Sequence, residues 1–305
     1  MPESRTASVT FPGPASPALT LSPLRRGRAD PCYHDAPDGA IWRTSLLASG
    51  AVTARITRAA VDTVGCEAWG PGAAEFTDAL PALLGADDDV RGFDPQEPTI
   101  ARAHRRVPHL RLGRTGRVLE ALVPAILEQR VYGKDARRAW RQLVTKYGAP
   151  APGPAPAHMR VPPSAEVWRR VPSWDFHLAN VDPGRARTVI GCVQRADALE
   201  RLVRRSCEAA RTAMMSLPGV GVWTAAEVAQ RAFGDADALS IGDYHLSTMV
   251  GWSLLGRPID DDEMVVLLAP LSPHRQRAVR LLEASGLAVN PRFGPRAAIP
   301  NLAEL

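Results

Sequence analysis

Lysine is almost missing from this chain. Lys134 and Lys146 are the only two in 305 residues, so arginine carries most of the positive charge, and covalent chemistry through a lysine amine has two candidate positions. Cysteine is also sparse. Cys32, Cys66, Cys192 and Cys207 include no close pair, which excludes a zinc ribbon, a cysteine-rich iron–sulfur run and a dense disulfide framework. No apolar stretch approaches the roughly 18 residues that span a bilayer, and the N-terminus lacks the apolar run of a secretory signal. These absences point to a soluble cytoplasmic protein with no membrane partner.

Charge is plentiful but unevenly placed. Residues 101–147 carry twelve basic against three acidic side chains, whereas residues 67–97 carry eight acidic against one basic. Two faces of opposite sign are expected, the basic one suited to a polyanion. A GC-rich genome also enriches arginine, alanine and proline, so charge alone does not decide the matter.

The chain divides by composition. Residues 1–30, with five prolines and the cluster Arg25, Arg26, Arg28, read as a flexible tail. Residues 31–100 hold three strand-like runs near 40–47, 51–57 and 61–69 and a helix near 73–84, an antiparallel sheet-plus-helix domain. Residues 101–290 are helical, broken by an extended loop at 149–163 that contains six prolines, and 291–305 form a C-terminal tail. Apolar stripes place helices on both sides of Gln129 and a continuous one over 197–216, with Trp174 in a bend between further helices. The fold class is mostly α with a small N-terminal antiparallel sheet, an α+β arrangement.

The most informative stretch is Leu217-Pro218-Gly219-Val220-Gly221-Val222-Trp223-Thr224, followed by a helical run and then Asp243-Tyr244. Pro218 and Gly219 stop one helix and Gly221 precedes the next. A tight glycine turn feeding a helix N-terminus presents bare N–H groups, here from Val220 to Trp223, that suit a phosphate. Taken singly, the two glycines equally make an ordinary helix–helix turn, and Asp243 before a helical run is equally an N-cap.

The whole string is more specific. Leu217 to Gly221, Thr224-Ala225 and Asp243 together resemble the helix-hairpin-helix DNA glycosylase superfamily, most closely its alkyladenine (DNA-3-methyladenine glycosylase II) type, and a weaker likeness runs from about residue 40 to 285. The resemblance implies a helix-hairpin-helix core and a DNA glycosylase of base excision repair, a monomer acting on double-stranded DNA that contains damaged bases. Asp243 would be the catalytic carboxylate and alkylated purines the substrate. Trp223 stands where bifunctional relatives hold a lysine, so a monofunctional enzyme without lyase activity is implied. Ala125 to Val131 resembles the segment that fills the gap left by an everted base, which makes Arg130 the plug and Gln129 its neighbour. Trp223, Tyr244 and Trp174 are candidate walls of a base pocket. Glu227 and Glu283 stand where aromatic groups are expected, and would either face the pocket or lie on the helix surface. No organic cofactor or iron–sulfur cluster is implied. A monovalent cation, Na⁺ or K⁺, at the carbonyls of Leu217 and Val220 is. The rivals are a non-catalytic damage-sensing DNA-binding protein and a glycosylase for deaminated or oxidised bases.

Overall fold

A five-stranded antiparallel sheet in the order β1-β5-β4-β3-β2 forms one end of the molecule. Its strands are β1 (Ser4–Thr10), β2 (Tyr33–Asp35), β3 (Ile41–Leu47), β4 (Gly50–Arg58) and β5 (Thr63–Trp69). The structure is a computed structural model and describes residues 4–291, so the expected C-terminal tail lies outside the described residues except for Pro291. Helix α1 (Pro17–Leu21) precedes β2, and α2 (Ala73–Leu83) covers the sheet through Phe76, Leu80 and Leu83. The alternating apolar residues of β4 and β5, among them Val52, Ala54, Ile56, Val64 and Cys66, bury the opposing face of that layer.

The N-terminal segment corrects the expectation of a flexible tail. Ser4 to Thr10 pairs residue by residue with Trp69 to Thr63, completing an edge of the sheet. Arg26, far from being solvated, is buried and donates from Nη1 to the Glu128 carboxylate at 3.1 and 3.2 Å, while its backbone N–H is held by Asp30. Proline content misled because Pro17 sits at the first turn of α1, where its missing N–H costs nothing.

The helical part comprises α3 (Pro98–Arg106), α4 (Val118–Leu127), α5 (Gly133–Tyr147), α6 (Ala165–Arg169), α7 (Ser173–Leu178), α8 (Pro183–Val193), α9 (Ala196–Glu200), α10 (Cys207–Met215), α11 (Val222–Val228), α12 (Leu246–Leu255), α13 (Asp261–Leu268) and α14 (Arg275–Ser285). Starts follow the capping chemistry: Ser164, Asp182, Ser206 and Asp260 each accept a first-turn N–H, and Pro183 follows Asp182. The expected helix over 197–216 is broken because Arg205 is extended and Ser206 caps a new helix. Trp174 lies in α7 rather than in a bend. The proline-rich loop is closed at its ends by a short antiparallel pair, β6 (Ala149–Pro150) with β7 (Arg160–Val161), and docks on the sheet, where Gly153 abuts Trp69.

Helix α4 is the axis. It is apolar all round and buried, as a helix enclosed by others must be. Its one charged residue, Glu120, pairs with Arg43 of β3 and so ties the axis to the sheet, while the Glu200 carboxylate of α9 accepts the N–H groups of Val118 and Leu119. Around α4 pack α5, α8 and α11; α3, α12, α13 and α14 form a separate apolar cluster. No helix among the described residues is long and apolar enough to cross a membrane.

The two charged runs meet at two ion pairs, Glu75 with Arg117 and Asp87 with Arg114. Asp88 is buried against Arg277 of α14 at 2.5 and 2.8 Å, and both side chains are 3% exposed. Asp88→Ala would strand a buried guanidinium and is expected to cost about 3–5 kcal/mol in denaturant unfolding. Replacing both partners, Asp88→Leu with Arg277→Met, should recover most of that loss; no recovery would mean that the charges themselves are required.

Candidate functional site

The turn between α10 and α11 is built from three restraints. Val220 inserts into the core and is 5% exposed, while Pro218, Gly219, Gly221 and Val222 remain at the surface. Gly219 adopts φ 84° and lies so close to Thr188 of α8 that a Cβ would fall on the Thr188 hydroxyl. Gln129, at the end of α4, donates from Nε2 to the Gly219 carbonyl at 2.9 Å and to the Thr224 hydroxyl at 2.8 Å. Gln129 thus braces the turn from the end of α4.

The N–H groups that open α11 have no acceptor within their helix and face outward at an exposed turn, the arrangement that binds anions. One of the four expected donors drops out, because Val220 N–H is consumed by the Leu217 carbonyl at 3.1 Å. Gly221, Val222 and Trp223 remain. Beside them runs a groove of about 400 Å³ lined by Arg187, Thr188, Arg195, Leu217, Pro218 and Gly219 among others. Arg187 and Arg195 are exposed there. Neither was singled out in the sequence; their i, i+8 spacing on a helix start marked by Asp182-Pro183 was the available signal.

Asp243 meets this turn from the far side. Its Oδ2 accepts the Trp223 indole N–H at 3.2 Å, and its Oδ1 accepts the N–H groups of His245 at 2.8 Å and Leu246 at 3.0 Å. One oxygen of this side chain thus holds the start of α12 and the other touches the helix after the turn. Gly242 precedes it at φ 88°, with its N–H held by Asp261 at 2.8 Å. Val222, Ile241 and Tyr244 are 50%, 36% and 57% exposed around it, an unusual concentration of open apolar surface beside a carboxylate. Asp243 is half-buried and lines neither the groove by α8 nor the hollow of about 320 Å³ near His274.

The remaining candidates disperse. Arg130 follows Gln129 at φ 53°, exposed, in a left-handed conformation that non-glycine residues seldom adopt. Buried Arg185 supports that tip, donating to the carbonyls of Leu127 at 2.7 Å and Asn180 at 3.1 Å. Trp174 is 66% exposed on α7, and no hydrogen bond or ring contact among the described residues links it to Asp243. Tyr244 meets the ring of His245 edge-on at 4.9 Å.

Glu283 is exposed and paired with Arg280. Glu227 follows neither expected course. It is 13% exposed, bound to Arg231 at 2.7 Å and to the Ser240 hydroxyl at 2.5 Å, hence neither at the surface nor available to a cationic base. Burial opposes its ionisation, but the neighbouring Arg231, Ser240 and Arg26 outweigh burial and hold it below the usual glutamate range.

No family model matches the chain. Over 214 residues it is 31% identical to a Mycobacterium tuberculosis protein named "Probable bifunctional transcriptional activator/DNA repair enzyme AlkA", which takes in 67% of this chain and 39% of that relative. Among solved structures it is similar to a 3-methyladenine DNA-glycosylase from Archaeoglobus fulgidus, with TM-score 0.77 and 15% identity over 92% of this chain and 98% of that one. The chain thus resembles helix-hairpin-helix DNA glycosylases, the alkyladenine type among them. It also superposes on an 8-oxoguanine glycosylase/lyase from Clostridium acetobutylicum, crystallised with double-stranded DNA, at TM-score 0.69 and 13% identity over 94% of this chain and 98% of that one. At those identities the structural likenesses speak to fold alone. The chain spans about two fifths of the length of the curated relative it matches.

Proposed function

We propose that this protein is a monofunctional DNA glycosylase of base excision repair that removes alkylated purines from double-stranded DNA, acting as a monomer. The observation that carries the reading is the hydrogen bond between Trp223 and Asp243, which sets a carboxylate beside an exposed anion-binding hairpin. Hairpin N–H groups would hold a phosphate next to the lesion, while the extruded nucleotide lies on the apolar surface around Asp243. Eversion costs a few kcal/mol, least for a damaged base.

As the N-glycosidic bond lengthens, its electron pair leaves with the base and positive charge develops on the sugar. The Asp243 carboxylate stabilises that charge, and water supplies the hydroxyl that ends on C1′. A purine alkylated at N3 or N7 is already cationic and departs neutral, so one carboxylate suffices. Trp223 has no amine to form a Schiff base; Lys146 is engaged with Asp175 and Lys134 lies against Tyr132, which supports hydrolysis without strand cleavage. A monovalent cation between hairpin and phosphate belongs to the same reading. The carbonyls of Leu217 and Val220 would hold it, and Leu217 O, though it accepts Val220 N–H, keeps a second lone pair.

The test is incubation with duplexes carrying N3- or N7-alkylpurine, hypoxanthine or 8-oxoguanine, followed by alkali. Release confined to alkylpurines, with no strand break before alkali, is expected. Release of hypoxanthine or 8-oxoguanine alone would move the substrate class, and release of nothing would leave a DNA-binding protein. In the groove beside the hairpin, Arg187 and Arg195 are placed to meet the phosphodiester chain. Arg187→Ala with Arg195→Ala should lower the slope of log K against log salt by about 2, since each phosphate contact contributes roughly 0.9. An unchanged slope would take the strand off α8.

A further inference from the structure

The loop that carries Asp243, residues 234–245, is held by an arrangement that the hairpin reading leaves unused. Trp223 and Glu227 stand one turn apart on α11, and the helix then widens into a π turn over Ala229–Phe233 that bears Gln230 and Arg231. Such turns recur where a helix serves a site. Gln230 Nε2 donates to the Ala238 carbonyl and to the Ser240 hydroxyl, each at 2.9 Å. That hydroxyl donates onward to Glu227 Oε1, and the Ser240 carbonyl accepts the Asp243 N–H at 3.0 Å. The other Glu227 oxygen is held by Arg231, whose Nε donates to the Pro23 carbonyl at 3.0 Å. Arg26 and the half-buried Glu128 complete a group of two positive and two negative charges.

Gln230 Nε2, the Ser240 hydroxyl and both Glu227 oxygens have partners, and the chain ends on the turn whose next member is Asp243. The same helix grips Asp243 directly through Trp223. The carboxylate is therefore fixed at two points relative to the hairpin, one on its side chain and one on its backbone.

We propose that Glu227 and Ser240 are positioning residues for Asp243, with the Glu227 carboxylate acting as the acceptor that holds the Asp243 turn in register with the phosphate-binding hairpin. The proposal rests on the glycosylase reading for its effect on rate, but not for its effect on the loop. It assigns Glu227 a task other than recognising a base. It also separates two things the residue does: balancing Arg231, which is structural, and receiving Ser240, which is positional.

Ser240→Ala removes one hydroxyl and should leave the fold intact. Amide exchange of a peptide spanning 238–247 should speed up at least tenfold while that of 217–224 stays as it is. Single-turnover base release should fall about tenfold or more with duplex Kd within twofold. Two charge-neutral pairs isolate the acceptor. Glu227→Gln with Arg231→Met keeps an oxygen for Ser240 and should stay within about threefold of wild type in release. Glu227→Leu with Arg231→Met has no acceptor and should match Ser240→Ala.

Equal behaviour of the two pairs would overturn the proposal, because an ion pair with a merely structural role makes no distinction between glutamine and leucine. Unchanged exchange in Ser240→Ala, or faster exchange with undiminished release, would overturn it as well. Should the wild-type protein release no base from any duplex, the glycosylase reading falls together with the rate claim; the exchange measurement would still decide whether Glu227 and Ser240 hold the turn.

Discussion

Asp243→Asn is expected to abolish base release while leaving the protein folded and able to bind duplex DNA. Asparagine keeps the shape, and its oxygen can still accept the N–H groups of His245 and Leu246, so the start of α12 survives. The amide nitrogen then faces the Trp223 indole N–H, donor against donor, and that hydrogen bond is lost at a cost of about 1 kcal/mol. The larger effect is electrostatic. A neutral amide no longer stabilises the cation that forms on the sugar, and a fall of about 10²–10⁴-fold in the single-turnover rate follows. Duplex Kd should change by less than a few-fold, since the hairpin and the groove by α8 are untouched. A rate within tenfold of wild type would remove Asp243 from the chemistry and leave it as a helix cap.

Gly219→Ala should weaken duplex binding by tenfold or more and also lower the melting temperature. Two separate costs apply. The backbone φ of 84° lies in the left-handed region, where a Cβ costs about 1–2 kcal/mol, and the new methyl would also collide with the Thr188 side chain. Either the turn opens or α8 shifts, and both carry Gly221, Val222 and Trp223 away from a common phosphate position. Thr188→Ala in the same chain removes the two closest atoms of the collision, leaving the residue 188 Cβ at 3.0 Å, but not the backbone strain. The double variant should therefore regain part of the binding. Binding within twofold of wild type for Gly219→Ala alone would mean that the hairpin does not present its N–H groups as a unit.

Both expectations rest on residues that the sequence already set apart, and for Gly219 the reason is local. A turn that needs a positive φ and a close backbone approach admits little besides glycine, so Gly219 announces itself. Asp243 is legible through the resemblance, which expects an acid about twenty residues after the turn; its immediate neighbours alone read equally as a helix cap. The antiparallel sheet, α4, α5 and the second helix of the hairpin were also readable, because apolar spacing and capping residues act within a few positions of one another.

What could not be read has a different physical origin. Whether Arg26 is solvated or buried depends on Glu128, 102 positions away, and nothing in the run Arg25 to Arg28 reports that pairing. The bracing role of Gln129 was equally hidden, because its partners, Gly219 and Thr224, are 90 and 95 positions on. The fate of Glu227 was undecidable from its own helix; it turned on Ser240 arriving from the following loop, on Arg231 lying a turn later, and on Arg26 beneath.

The amino-acid sequence alone determined the hairpin and the order of sheet and helices, since each is set by backbone stereochemistry and periodicity over short spans. Only the tertiary structure decided which charges meet. A buried ion pair is chosen by the position of two distant chain segments and by the cost of leaving either partner unpaired, and that cost is paid or avoided only once the whole fold has closed.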